Sequence, residues 1–341
     1  MRAIVYAQSG PSSVLELVDR EPGAPGPDEI RVRIAVSGVN PTDWKARAGS
    51  RPVEFAEVVP NQDGVGVVDA VGTEVDDLRA GDRVWLFLAA HQRPTGTAQE
   101  LTVVPRSRVV RLPDSVGFDI GASLGVPAMT AHRALTVHER GPARLAPGAL
   151  ADRVVLVQGG AGAVGHAAIQ LAVWAGATVI ATVSDDRKAA LARAAGAHHV
   201  LRYPDDELSA KVRSVAPNGV DHIVEVALAQ NAELDVQVVA NHGSIAYYAN
   251  NNGDEFTAPI APSFAKNVRW QGLLLYTVGP EALTAAAEDI TAALEAGALP
   301  VGEDAGLPLT WFSLEDTAAA HDAVEQGAIG KVLIAVAEDV R

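Results

Sequence analysis

A glycine-rich turn near the middle of the sequence has the spacing that dinucleotide-binding proteins use. Its six residues are Gly160, Ala161, Gly162, Ala163, Val164 and Gly165, in the pattern Gly-x-Gly-x-x-Gly. In such a turn the first glycine permits a tight bend, the second lets a pyrophosphate approach the backbone, and the third allows a helix to pack closely on a strand. The following helix offers free N–H groups and a positive dipole end to the phosphates. A turn built for packing alone is the alternative.

The elements on either side of the turn favour a bound dinucleotide. Val154 to Gln158 is a continuous apolar run, as expected of a strand buried on both faces. A helical pattern follows the turn, and a second strand, Thr178 to Val183, ends about 20 residues later, which is the context that makes the motif specific. Strand and helix patterns continue to alternate, so this part of the chain is predicted to be a doubly wound parallel sheet.

The residues after the second strand point to NADPH as the cofactor. NAD-binding sheets place an acid here to hold the ribose 2′-OH, whereas this chain has Ser184. Arg187 and Lys188 follow, and their charges suit the 2′-phosphate of NADPH. Two alternatives stay open: Asp185 or Asp186 could still reach the ribose, and the two cations could belong to a solvated helix start.

The composition narrows the classes of function. The chain of 341 residues is 48% hydrophobic and carries a formal net charge of -15 without any basic run, so nucleic-acid binding is not expected. It contains no cysteine, which excludes disulfides, thiolate metal sites and a cysteine nucleophile. No signal peptide is recognised, and no apolar run approaches the roughly 20 residues needed to cross a membrane. We therefore expect a soluble cytoplasmic protein with no membrane partner.

The N-terminal part of the chain is predicted to be a β domain. Residues 29–39 alternate charged and apolar side chains with a period of two. Further short strands, each bounded by turn residues, are predicted over residues 64–72, 82–87 and 99–105. This pattern indicates an antiparallel, partly closed sheet.

With these motifs in place, the sequence resembles the medium-chain dehydrogenase/reductase superfamily, and within it the zinc-independent, ζ-crystallin-like quinone oxidoreductases. The likeness covers essentially the whole chain. It is carried by residues 37–49, 60–72, 81–85, 96–105, 125–135, 156–172, 219–226 and 328–334.

The resemblance implies an α/β fold of two domains. A GroES-like antiparallel β domain would comprise residues 1–126 and 267–341, and a Rossmann domain would comprise residues 127–266, with the cofactor in the cleft between them. The apolar stretch 268–278 would be the last strand of the parallel sheet. An exposed edge strand invites pairing, and relatives pair it across a two-fold axis, so we expect a homodimer.

The resemblance also bears on zinc. Zinc-dependent members place a cysteine where this chain has Asn40, and a His-Glu pair where it has Gln62 and Asp63. Neutral amides are poor zinc ligands, and a single carboxylate cannot hold the metal. We therefore expect neither zinc nor flavin, and charge that develops on a substrate must be stabilised by hydrogen-bond donors.

The resemblance places the candidate catalytic residues in the N-terminal domain. Asn40 matches the family's pocket asparagine, and a turn residue before Pro41 is the alternative. Asp43 matches a polar pocket position, and Gln62 would form part of a hydrogen-bonded floor. Relatives often carry tyrosine at the position of Lys45, which would either donate to a substrate oxygen or point into solvent.

Further cofactor contacts are implied at positions that match the family. Thr130 would lie near the nicotinamide, Tyr203 near the adenosine 2′-phosphate, and Lys331 near the cofactor. Asn250 follows a predicted strand at the edge of the sheet where ligands bind. Each of these side chains could instead have a purely structural role.

The predicted function is NADPH-dependent, zinc-independent reduction of a small quinone or enone. Such acceptors spread negative charge over a conjugated system, so hydrogen-bond donors can replace a metal. Reduction of a 2-enoyl thioester or an alkenal is the alternative enzyme activity. A non-catalytic NADPH-binding structural or sensing protein is the alternative from another class, and the choice between hydride and single-electron transfer stays open.

Overall fold

The computed structural model describes residues 1–203 and 207–337. The chain forms two compact units: the first combines Met1–Val126 with the chain from Pro308 onward, and the second comprises Pro127–Leu307. The strands are β1 (Arg2–Val5), β2 (Glu16–Asp19), β3 (Glu29–Val39), β4 (Asp63–Val71), β5 (Arg83–Leu86), β6 (Leu101–Pro105), β7 (Val109–Arg111), β8 (Val154–Gln158), β9 (Thr178–Val183), β10 (His199–Arg202), β11 (Val220–Glu225), β12 (Val239–Tyr247), β13 (Arg269–Gly272), β14 (Leu309–Ser313) and β15 (Lys331–Ala335).

The helices are α1 (Pro41–Lys45), α2 (Phe118–Gly121), α3 (Gly125–Thr136), α4 (Ala163–Trp174), α5 (Asp186–Ala194), α6 (Leu208–Val215), α7 (Leu228–Val238), α8 (Ile260–Ala265), α9 (Pro280–Glu295) and α10 (Thr317–Glu325). A π-helical turn, Ala46–Ser50, follows α1, and short 3-10 turns occupy Ser12–Val14, Arg106–Arg108, Leu275–Thr277 and Glu303–Ala305. No helix in the described residues is long and apolar enough to cross a membrane.

Strand β3 is the centre of the first unit. Ile30, Val32 and Ile34 are buried at alternate positions, because successive side chains of a strand point to opposite faces. β3 pairs antiparallel with β4, β6 and β15 in a seven-stranded sheet whose path is β14-β15-β3-β4-β5-β7. The antiparallel β domain expected from the sequence is confirmed.

The pairing of β15 with β3 brings two distant parts of the chain together. Val332 lies opposite Val39 in the antiparallel register. Lys331, the first residue of β15, therefore lies beside Asn40, the first residue after β3.

The second unit contains a parallel sheet of six strands in the order β10-β9-β8-β11-β12-β13. This is the doubly wound order, in which ligands bind outside the carboxyl ends of the strands. The strands predicted at Val154–Gln158 and Thr178–Val183 match β8 and β9 residue for residue. The doubly wound fold class predicted from the sequence is confirmed.

The expected return to the β domain at residue 267 needs correction, because residues 267–307 belong to the second unit. The reason is β13, whose Arg269 lies opposite Ser244 of β12 in the parallel sheet. The strand predicted over residues 268–278 is also shorter than expected, since it ends at Gly272 and a 3-10 turn follows. The chain enters the first unit again at Pro308.

Candidate active site

The turn between β3 and α1 positions the first candidate residue. Asn40 has extended backbone angles, and Pro41 occupies the first helical position, where its missing N–H costs nothing. The Asn40 N–H donates to Asp43 Oδ2 over 2.7 Å, which is one half of a capping box. Asn40 is thus the turn residue of the alternative interpretation, and its side-chain amide also bonds to residues outside the turn.

The Asn40 amide lies between a cation and a carboxylate. Lys331 Nζ donates to Asn40 Oδ1 over 2.7 Å, and Asn40 Nδ2 donates to Asp63 Oδ2 over 2.7 Å. Lys331 Nζ lies 3.4 Å from the same Asp63 oxygen. The other Asp63 oxygen accepts the Val126 N–H over 2.8 Å. Because all three side chains are buried and each end of the amide has a charged partner, the orientation of Asn40 is fixed.

Burial shifts the ionisation of this network towards the neutral forms. It raises the pKa of Asp63, and the Lys331 ammonium acts against that shift. It lowers the pKa of Lys331, and the carboxylates of Asp63 and Asp43 act against that shift. Burial and the neighbouring Asp63 together raise the pKa of Asp43 to about 7. The site is therefore a low-dielectric region in which each charge depends on its partner.

These residues do not fit a zinc ion. Asn40 and Gln62 offer neutral amides, and the Asp63 carboxylate is bonded to a buried ammonium group where a metal cation would have to bind. Within the described residues, no group of three or more histidine, cysteine or acidic side chains is arranged for a metal.

A cavity of about 230 Å³ lies next to this network in the first unit. Asp43 and Gln62 line it, so two of the predicted catalytic residues face one space. The Gln62 N–H donates to Asp43 Oδ1 over 3.2 Å, and Gln62 Oε1 is buried without a hydrogen-bond partner in the described part of the chain. Lys45 does not belong to this lining, and its Nζ lies 6.0 Å from the centroid of the Trp44 ring.

The glycine-rich turn of the second unit lies between β8 and α4. The tight bend falls at Gly159, which has φ +72°, and not at Gly160 as the motif predicted. Gly160 instead packs on β9, since an added Cβ would lie 2.9 Å from the Ala181 Cβ. A Cβ on Gly165 would lie 2.3 Å from Gly159 O, whereas one on Gly162 would meet only that oxygen, at 3.5 Å. The space over Gly162 thus suits the approach of a ligand.

The residues predicted to recognise a 2′-phosphate lie at the carboxyl ends of neighbouring strands. Ser184 follows β9, and Lys188 Nζ donates to Ser184 Oγ over 2.9 Å. The Tyr203 N–H donates to Val183 O, which places the exposed ring of Tyr203 after β10 at the same edge. Asp185 Oδ1 caps α5 by accepting the Lys188 N–H, so this acid already has a structural role.

Other predicted cofactor residues have different surroundings. Thr130 is buried in α3, and Arg187 is exposed on the first turn of α5. Asn250 is exposed after β12 and donates to Asp254 Oδ1 over 2.6 Å. Ala163 and Val164 begin α4, where the first N–H groups of a helix have no partner within the helix. Lys331 lies with the catalytic candidates, and its contact with a cofactor stays a prediction.

Sequence reasoning missed two features of the sites. One is Tyr6, which lines the cavity beside Asp43 although it lies far from the catalytic motif in sequence. The other is a buried carboxyl pair, Glu225 at the end of β11 and Asp235 on α7, and burial together with the Glu225 charge raises the pKa of Asp235. Gln158 Nε2 donates to Asp235 Oδ1 over 3.0 Å. The acid that ends the apolar strand β11 was a detectable signal for this pair.

Two domain families match parts of the chain, and known proteins match nearly its full length. The alcohol dehydrogenase GroES-like domain matches residues 26–114, and the zinc-binding dehydrogenase domain matches residues 163–292. The quinone oxidoreductase of Lama guanicoe is 30% identical over 341 residues, which cover 98% of this chain and 97% of the relative. The quinone oxidoreductase structure from Pseudomonas syringae pv. Tomato DC3000 has a TM-score of 0.82 and 28% identity, and the match covers 98% of this chain and 99% of that chain.

A mycobacterial protein solved in complex with NADPH has a TM-score of 0.82 and 28% identity, over 98% of this chain and 100% of that chain. These likenesses, with the parallel nucleotide-binding sheet and the GroES-like unit, define a medium-chain dehydrogenase/reductase. Within that superfamily the chain belongs to the zinc-independent quinone oxidoreductase branch.

Proposed function

We propose that this protein uses NADPH to reduce quinones or other conjugated carbonyls without a metal. The observation that carries the proposal is the chemistry of the buried network. By the family resemblance, Asn40 and the Gln62-Asp63 pair stand where zinc-dependent relatives carry metal ligands, and here Asn40 and Asp63 are both bound to the Lys331 ammonium. A substrate bound here must delocalise its own developing charge, as a quinone or an enone does and a simple alcohol does not.

The glycine turn and the ends of β9 and β10 would hold the cofactor, which supplies the reducing equivalents when bound. Gly162 would admit the pyrophosphate, and the N–H groups at the start of α4 would donate to it. Lys188 and Ser184 would bind the 2′-phosphate, with Tyr203 beside them. The solved NADPH complex of the mycobacterial neighbour supports this choice of nucleotide.

The cavity beside Asp43 and Gln62 would hold the acceptor. Asp43 binds the backbone N–H groups of Asn40 and Gln62, so it ties the α1 turn to the segment that enters β4. Lys331 and Asp63 fix the Asn40 amide behind this wall. The chain's own contribution is thus a preorganised polar wall that needs little rearrangement as charge develops on the acceptor.

The test is oxidation of NADPH, followed by the nicotinamide absorbance, with a quinone, an alkenal and a 2-enoyl thioester as acceptors. Turnover fastest with the quinone supports the proposal. Turnover only with the alkenal or the thioester assigns the alternative enzyme activity. Tight NADPH binding without any turnover would favour a structural or sensing role.

We also propose a cytoplasmic homodimer formed through the edge of the parallel sheet. β13 is the last strand of that sheet, so one side of its backbone has no partner strand among the described residues. Ile260 and Phe264 of the neighbouring segment are 78% and 69% exposed, and Leu274 is 54% exposed. Light scattering at micromolar concentration should give twice the chain mass, and a monomer would contradict the proposal.

A further inference from the structure

Tyr6 is held rigidly in the wall of the cavity. It follows β1, and its backbone forms a two-way bridge with Val58: Tyr6 N–H to Val58 O over 3.0 Å, and Val58 N–H to Tyr6 O over 2.9 Å. The residue is 7% exposed. Tyr6, Val58, Asp43 and Gln62 all line the same cavity. The phenol ring is therefore placed by backbone pairing and not by a mobile loop.

The polar side chains around this cavity differ in whether they already have a hydrogen-bond partner within the protein. Arg93 is paired with Glu29, and Arg51 donates to Thr42. Asp43 accepts backbone hydrogen bonds with both of its oxygens. The Tyr6 hydroxyl, by contrast, has no hydrogen-bond partner among the described residues.

The Tyr6 hydroxyl stays protonated at neutral pH and can therefore donate a hydrogen bond. Burial raises its pKa, and the Asp43 carboxylate raises it further, while the charges of Arg51 and Arg47 act in the other direction. A phenol that stays protonated at neutral pH is a hydrogen-bond donor of the kind that stabilises an oxyanion in a water-poor site.

We propose that the Tyr6 hydroxyl donates a hydrogen bond to the carbonyl oxygen of the acceptor, and that Tyr6 is a catalytic residue of this protein. The inference rests on the proposed function, because it takes the cavity as the acceptor site. The proton stays on Tyr6, and the hydrogen bond strengthens as negative charge gathers on the acceptor oxygen. Loss of this donor should therefore slow turnover and leave nucleotide binding unchanged.

The first test compares Tyr6→Phe with Thr310→Val, which also removes one hydroxyl, from an exposed position on β14 of the same unit. Tyr6→Phe should lower kcat/KM for a quinone by about 100-fold, the usual effect of removing one oxyanion donor. Its melting temperature and its affinity for NADPH should match those of the wild type. Thr310→Val should retain wild-type turnover. Equal kcat/KM for Tyr6→Phe and the wild type would overturn the inference.

A second test does not depend on turnover. 4-Nitrophenolate shares its negative charge between the phenolate oxygen and the nitro group, and its absorbance shifts when the phenolate oxygen accepts a hydrogen bond, so it reports an oxyanion donor by spectroscopy. Tyr6→Phe should bind it about tenfold more weakly, the loss of about one hydrogen bond to a charged group. If the wild type reduces no acceptor but still binds 4-nitrophenolate more tightly than Tyr6→Phe does, the proposed function is refuted. Tyr6 remains the oxyanion donor in that case. Equal affinity in the two proteins, or no binding to the wild type, would overturn the inference.

Discussion

Lys331 donates a hydrogen bond to Asn40 Oδ1 over 2.7 Å, although 291 positions separate the two residues in sequence. The contact exists because β15 pairs with β3 and sets the two residues side by side. It means that Lys331 acts through Asn40, as a positioning residue. The same ammonium lies 3.4 Å from Asp63, so its removal affects both the amide and the carboxylate.

Lys331→Met should destabilise the protein by about 3–5 kcal/mol, because it leaves the buried Asp63 carboxylate without its countercharge. The double variant Lys331→Met with Asp63→Asn should recover most of that loss, since it removes both charges together. Urea unfolding at neutral pH measures both variants. A double variant no more stable than Lys331→Met would show that the two charges are not coupled.

Two glycines of the turn should respond differently to alanine. Gly162→Ala should fold normally, because its Cβ would meet one backbone oxygen at an ordinary 3.5 Å, but should lose NADPH binding if the pyrophosphate approaches there. Gly165→Ala should lose about 1–3 kcal/mol of stability or more, since its Cβ would lie 2.3 Å from Gly159 O. Melting curves with and without NADPH separate the two effects. Wild-type NADPH binding by Gly162→Ala would place the cofactor elsewhere.

Lys188 should set the preference between the two nicotinamide cofactors. Lys188→Glu should weaken NADPH relative to NADH by about 10–100-fold, the range expected for losing a hydrogen bond to a charged phosphate. Arg193→Glu is a matched control, because it makes the same change of charge near the other end of α5. Fluorescence titration with each nucleotide gives the ratio. An unchanged ratio in Lys188→Glu would remove Lys188 from the 2′-phosphate site.

The buried pair of Glu225 and Asp235 should make stability fall as pH rises. Burial, and then the Glu225 charge, raises the pKa of Asp235 well above its usual value, so the folded protein keeps a proton that the unfolded chain releases. The free energy of unfolding should therefore decrease as the pH rises above about 4, the ordinary pKa of a carboxyl group. The total decrease is about 1.4 kcal/mol for each unit by which the pKa of Asp235 in the folded protein exceeds that in the unfolded chain.

Asp235→Asn removes this titrating group and keeps the shape of the side chain. Its free energy of unfolding should increase relative to that of the wild type as the pH rises from 5 to 8. Urea unfolding at several pH values measures this difference. Glu233→Gln, on the exposed side of α7, is the control and should follow the wild-type pH dependence. Parallel pH profiles for Asp235→Asn and the wild type would contradict a raised pKa of Asp235.

Local features of the sequence were predicted well because their causes are local. The apolar run of β8 and the alternation of β3 match the observed strands residue for residue. The glycine spacing correctly indicated a strand, a turn and a helix, although the tight bend itself falls one residue earlier, at Gly159. Asn40, Asp43 and Gln62 were proposed from the family resemblance, because they lie in short motifs that match the family.

Contacts between distant segments had no such local cause. Nothing in the sequence near Asn40 indicates that Lys331 will fix its amide, or that Tyr6 will share its cavity wall with Asp43. The position at which the chain returns to the first unit, Pro308, was also missed, because β13 joins the parallel sheet only through pairing with β12. Hydrophobic periodicity and turn chemistry act over a few residues, so the sequence by itself determined the elements, the nucleotide turn and the absence of metal ligands. Strand pairing acts across the whole chain, so only the tertiary structure decided which side chains meet in the site.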